Sequence, residues 1–152
     1  MKSLLCIALV AATVSGCATQ EMTIAGPSAT VRDSAQGIEY SRAELCFLSA
    51  IDGQAIPTSV EATLRNSGYG KLRATPIARK VPAKSFKATI QCRSVSMRPF
   101  DYTRKAGGIV VFEPKADMTY VVNGSISEEK VSVWIETADT RQKVTEEVTK
   151  DQ

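Results

Sequence analysis

Lys84-Ser-Phe-Lys-Ala-Thr-Ile-Gln-Cys-Arg-Ser-Val95 is the stretch whose reading decides the fold. Phe86, Ala88, Ile90 and Cys92 fall on one parity, and Lys87, Thr89, Gln91 and Arg93 on the other. A strict period of two is the signature of a strand with one face buried and one wet. Cys92 belongs to the apolar set and therefore points inward. Pro82-Ala83 forms the turn that launches this strand.

Working outward, similar signals recur at short intervals. Ala43–Ile51 is apolar on both parities, which predicts a strand covered on both sides and ended by the turn Asp52-Gly53. Thr30–Arg32 reads as a first short strand ended by Asp33-Ser34. Lys71–Thr75 and Ile77–Val81 read as strands, with Pro76 excluded from a central ladder position. Gly108–Phe112 and Met118–Val122 follow, and Asn123-Gly124 carries a tight-turn signal. Val131–Glu136 alternates, a last strand is expected near Gln142–Val148, and Arg98–Gly108 is a loop candidate. Only Ser59–Asn66 is ambiguous. Thr58-Ser59-Val60-Glu61 fits a capping box and Gly68 a helix stop. The alternation of Val60, Ala62 and Leu64 tips the reading to a strand, with one short helix as the alternative.

Seven or so short strands punctuated by turns predict an all-β chain, a small β-sandwich or a partly closed barrel. There are no internal repeats. Removing an export signal of 16 residues leaves one domain's worth of chain, enough to bury a core.

That export signal is legible at the start. Lys2 precedes the apolar run Leu4–Val14, and Ser15-Gly16 precede Cys17, the grammar of a cleaved export segment. The run is about eleven residues, too short to span a bilayer core that needs roughly 20. Val14-Ser15-Gly16-Cys17 resembles the lipobox of bacterial lipoproteins. The resemblance implies a diacylglyceryl group on the Cys17 thiol, cleavage after Gly16 and acylation of the freed amine, with palmitate-type chains as the anchor. Ala18, which is not an aspartate, implies forwarding to the outer membrane, lipid-anchored and facing the periplasm. The expected organisation is a signal peptide over 1–16, lipidated Cys17 and a flexible tether over 17–30, a sandwich over 31–148 and a frayed tail over 149–152.

Cys6 leaves with the signal and Cys17 takes the lipid, so the exported part keeps Cys46 and Cys92. An oxidising compartment makes this pair a disulfide candidate, with two separate buried thiols as the alternative. The absence of Cys-x-x-Cys argues against a redox-active pair.

The chain contains no histidine. This removes histidine-based nucleophile activation and the commonest metal ligand. Two oxidised cysteines cannot build a zinc site, and no phosphate-binding glycine motif occurs. Ser127-Glu128-Glu129-Lys130 matches Ser-x-x-Lys but reads as a turn between strands. Glu146 and Glu147 are adjacent, so a strand would point them apart, unlike a glycosidase pair. Neither an enzyme nor a resident cofactor or metal is expected.

Residues 71–105 hold ten cations and one anion, whereas residues 106–152 hold nine anions and five cations. Such asymmetry points either to an anionic partner such as lipopolysaccharide or peptidoglycan, or to mutual neutralisation of neighbouring strands. Phe86, Phe100 and Tyr102 interleave with the cations as in a single-strand nucleic-acid groove, but an envelope address makes that partner unexpected. Trp134 and Tyr120 are either recognition rings or core and edge cover.

Val81-Pro82-Ala83 leading into an alternating strand, followed by Tyr120-x-Val122 and Val133-Trp134-Ile135-Glu136, resembles PEGA or transthyretin-like modules of small periplasmic lipoproteins. PEGA proper has Pro-Gly where this chain has Pro82-Ala83. The resemblance implies an Ig- or transthyretin-like sandwich that binds surfaces or fills structural slots. The expected role is a non-catalytic accessory or assembly module of the envelope. It would bind a protein partner through an exposed strand edge or the loop Arg98–Gly108, with Arg98, Phe100, Tyr102, Arg104 and Lys105 as contacts. The alternatives are direct binding of an anionic glycolipid or peptidoglycan by the 71–105 cations, and a secretion-apparatus lipoprotein.

Overall fold

The computed structural model describes residues 24–152. The predicted signal peptide, the lipidation position Cys17 and the first part of the tether lie outside the described residues.

Two sheets face each other as a β-sandwich. The first has the order β10-β9-β8-β1-β5, from β1 (Ser28–Arg32), β5 (Ala78–Pro82), β8 (Thr119–Ile126), β9 (Lys130–Thr137) and β10 (Val148–Asp151). The second has the order β2-β3-β6-β7, from β2 (Ser34–Gln36), β3 (Arg42–Ile51), β6 (Phe86–Ser96) and β7 (Lys105–Phe112). The two-residue strand β4 (Gln54–Ala55) also pairs with β3. β1 is antiparallel to β5 but parallel to β8, and only Asp33 separates it from β2 in the opposite sheet.

The alternation read in β6 holds. Phe86, Ala88, Ile90 and Cys92 are buried in the sandwich core with Val31, Leu48, Phe112, Val122 and Ile135. Each such fully buried aliphatic contributes about 1.5–3 kcal/mol. Phe112 packs edge-on against both Phe86 and Tyr120, at 5.5 and 5.0 Å between ring centroids. β3 is covered on both sides, as its apolar run predicts. Its other face gives Ala43, Leu45 and Phe47 to a second cluster with Val60 and Leu72.

That outer cover includes a helix. Ser59–Asn66 is α1, not a strand. Thr58 accepts from the Glu61 amide and Glu61 returns a bond to the Thr58 amide, so the capping box satisfies two otherwise orphaned donors. Val60 and Thr63 are buried, Val60 in the cluster that covers β3, while Leu64 is exposed. The alternation at 60, 62 and 64 is therefore not a burial pattern.

Cys46 and Cys92 form a disulfide across β3 and β6. They stand directly opposite in the register, with Cα atoms 4.0 Å apart. Their neighbour Gly124 corrects a second expectation. β8 runs straight through Asn123-Gly124, and the reversal comes later, where the Ser127 amide bonds the Lys130 carbonyl at 2.9 Å. A Cβ on Gly124 would collide with the Ser132 carbonyl and lie 2.8 and 3.0 Å from the two sulfurs. The glycine serves close approach rather than a turn.

Other boundaries also move. Ser28–Thr30 belongs to β1 rather than to the tether, and Lys71–Thr75 is irregular apart from a Gly68–Lys71 bridge. β7 begins at Lys105, inside the expected loop. The last strand is Val148–Asp151 rather than Gln142–Val148, so the expected frayed tail is paired with β9.

Candidate functional site

Strand directions give the sandwich two distinct ends. The chain joins β1 at one end, where Ala83 donates to the Pro27 carbonyl and Asp117 to that of Ser28. Three loops meet at the other: residues 37–41, the turn 68–71 and residues 97–104.

Each loop is held to its neighbours. Met97 donates to the Ser41 carbonyl and Leu72 to that of Tyr40, both at 2.8 Å. Arg98 Nε donates to Ser41 Oγ at 2.8 Å, so its guanidinium braces the loop pair. The Arg104 amide donates to Ser94 Oγ, and its guanidinium lies 3.7 Å from the exposed Glu128 carboxylate. Gln152 bonds both the amide and the carbonyl of Lys105 at 3.3 Å.

Aromatic rings are left at the tips. Phe100 and Tyr69 are 105 % and 107 % exposed, as open as in an extended peptide. Both have left-handed backbones, with φ of 64° and 52°. Tyr69 sits in a two-residue turn whose flanking Gly68 and Lys71 exchange both backbone bonds. A non-glycine residue pays in backbone energy there, of order 1–3 kcal/mol. Tyr102, Tyr40 and Ile38 are also largely exposed, and the Lys71 ammonium lies 6.0 Å from the Tyr40 ring centroid. The five residues expected as contacts thus divide. Phe100 and Tyr102 present their rings, Arg98 and Arg104 brace the loops, and Lys105 opens β7. Sequence reasoning missed Ile38, Tyr40 and Tyr69. Gly68-Tyr69-Gly70, an aromatic between two turn residues, is the signal that could have found Tyr69.

The other groups singled out in the sequence have structural employment. Tyr120 is in the core, its hydroxyl accepting from the Lys115 amide at 2.9 Å. Trp134 lies on the outer face of the first sheet with the Lys143 ammonium 3.8 Å from its ring centroid. Its Nε1 donates to Glu136, which also accepts from Asn123 and Arg141. Burial pushes the Glu136 carboxyl up, but those three donors outweigh it and hold the group below the usual range. Glu147 pairs with Lys143 at 2.6 Å, and Ser127 and Lys130 form the expected turn.

A second buried carboxylate ties the layers together. Asp33 Oδ1 accepts from the Leu48 amide at 3.1 Å; Oδ2 accepts from Ser59 Oγ at 2.5 Å and Arg79 Nη2 at 2.8 Å. Arg79 Nη1 also donates to the Leu48 carbonyl at 2.6 Å. Burial pushes this carboxyl above its ordinary value, against the opposing pull of Arg79 and the hydrogen bonds.

The basic segment does not form one patch. Among the described residues Arg79 and Arg104 find carboxylates, Lys84 and Lys87 lie towards the end where the chain enters, and Lys71, Arg98 and Lys105 lie at the loop end. Among the same residues, no group of three or more potential metal-ligating side chains is gathered. Set against family models, curated proteins and solved structures, the chain matches none of them.

Proposed function

We propose that this chain is a non-catalytic, membrane-anchored lipoprotein of the outer membrane whose periplasmic sandwich holds a protein partner at its loop end. The observation that carries the reading is the pair Phe100 and Tyr69, two fully exposed rings on left-handed tips at the end opposite the chain's entry into β1. Exposed aromatics on strained backbone are unfavourable within the monomer, and rings of this size are the anchors of protein interfaces. An anchor at Cys17 would leave this end unobstructed. Support for the address comes from the lipobox-like Val14–Cys17, and a sandwich is the fold that the PEGA or transthyretin-like resemblance implies. Separation of the cations between the two ends, with Arg79 and Arg104 paired, weakens the polyanion alternative.

The test is photo-cross-linking in intact cells from position 100 or 69, with Ser85 at the opposite end as control. Capture of a defined protein from 100 and 69 but not 85 is expected. Equal capture from all three, or none, overturns the reading. Capture that fades steeply with salt would identify a polyanion instead. Palmitate labelling of the wild type but not of Cys17→Ala checks the anchor independently.

A further inference from the structure

We propose that β7 pairs edge to edge and antiparallel with β7 of a second copy, centred on Ile109. Among the described residues the strand is outermost in its sheet and pairs only with β6. The Ser94 amide donates to the Arg104 carbonyl, which fixes the ladder: even-numbered residues of β7 bond to β6, and odd-numbered ones direct N–H and C=O outward. Lys105 conforms, because its two outward groups are the ones Gln152 takes. The outward groups of Gly107, Ile109 and Val111 have no partner among the described residues. The side chains of Ile109 and Val111 are 68 % and 69 % exposed.

The sandwich's other edges carry the usual protection against pairing. β5 has Arg79, Lys80 and Pro82, β2 has three residues, and β10 is a four-residue strand with Lys150 and Asp151. Ala106-Gly-Gly-Ile-Val-Val-Phe112 has no charge, no proline and no bulge. β10 backs the inner side of β7, with Val148 against Gly108, and leaves the edge open beyond Lys105.

Self-complementarity identifies the occupant. In the register centred on Ile109, the two Ile109 residues face each other and Val111 faces the partner's Gly107. Lys105 then comes opposite the partner's Glu113. Both flanking residues are exposed, and neither makes an ion pair within the chain among the described residues. A one-step shift in one direction sets Val111 against Lys105; in the other it sets Ile109 against Val111 but loses the Lys105–Glu113 pair, placing Lys105 against Lys115 and Gly107 against Glu113. Cross-strand pairs of opposite charge and of β-branched residues stabilise a ladder, and a two-fold axis makes each of these contacts twice. The axis stands normal to the sheet, so the two loop ends face opposite ways and both stay open. The ten residues from Ala18 to Pro27 reach at most about 33 Å, enough for both chain starts to reach one membrane plane beneath the paired sheets. Apart from Lys105, this surface is separate from the loop end, and the proposal stands independently of that one.

Single cysteines in the full-length chain, produced in its oxidising compartment, test the register. Ile109→Cys places two cysteines at the axis and is expected to give a disulfide-linked species of twice the monomer mass. Val111→Cys faces the partner's Gly107 and is expected to form no disulfide-linked species. In the Ile109→Cys background, Lys105→Glu should lower the linked fraction roughly three- to tenfold, and adding Glu113→Lys should restore it. A monomeric Ile109→Cys, equal linkage from Val111→Cys, or linkage of Ile109→Cys to a different protein overturns the proposal.

Discussion

Converting Asp33 to Asn removes one charge from the contact that joins both sheets and α1. The Asp33 side chain is wholly buried and that of Arg79 only 14 % exposed. The amide still accepts from the Leu48 N–H, but its NH2 group cannot accept from Ser59 and Arg79 as Oδ2 does. Arg79 keeps one neutral acceptor, the Leu48 carbonyl, and becomes a nearly buried charge without a counter-ion. Breaking such a pair costs about 3–5 kcal/mol, against a total stability of about 5–15 kcal/mol. Arg79→Met should also destabilise, by leaving the carboxylate behind. The double variant should cost less than the sum of the two, with a coupling of about 1–3 kcal/mol. Urea unfolding followed through the single Trp134 measures this, with the midpoint moving and the slope unchanged. A cost under about 1 kcal/mol for Asp33→Asn, or singles that add to within about 0.5 kcal/mol, would refute the reasoning.

Replacing Cys46 and Cys92 together by Ala should cost about 4 kcal/mol from loop closure over a separation of 46 residues, read as a fall in Tm. Gly124→Ala should cost at least about 1–3 kcal/mol, because backbone and disulfide leave no room for a methyl; a thermal melt of the oxidised protein checks it. The folded pKa of Glu136 lies below its unfolded value, so its ionised form contributes stability that is full above about pH 5 and lost as pH falls through the folded value. Glu136→Gln should therefore lower stability by about 1–2 kcal/mol at pH 7 and flatten the acid limb of a stability–pH profile. Phe100→Ser and Tyr69→Ser should leave stability within about 0.5 kcal/mol, because neither ring touches the core, while abolishing partner capture.

Part of the loop end was legible because a run such as Arg98–Lys105 has polar and aromatic residues without a period, which marks an exposed connection. Tyr40 and Tyr69 were not, since they lie roughly 60 and 30 residues earlier in the chain, respectively. Only the pairing of β3 with β6 and the Leu72–Tyr40 bond bring them to the same end. Arg79 and Arg93 were counted with the basic segment, but chain topology gives Arg79 to Asp33.

Local pattern by itself determined the β class, the inward face of β6, the doubly covered β3 and the disulfide candidate. Those features depend on side-chain period and on the chemistry of single residues, which neighbours in sequence set. Tertiary structure alone decided that Ser59–Asn66 is a helix, that β8 continues through Asn123-Gly124, and that β7 is left with an open apolar edge. In each case the local pattern did not decide between the alternatives. What separated them was contact with distant chain: β3 beneath α1, the disulfide and the Ser132 carbonyl against Gly124, and the strand order that places β7 outermost.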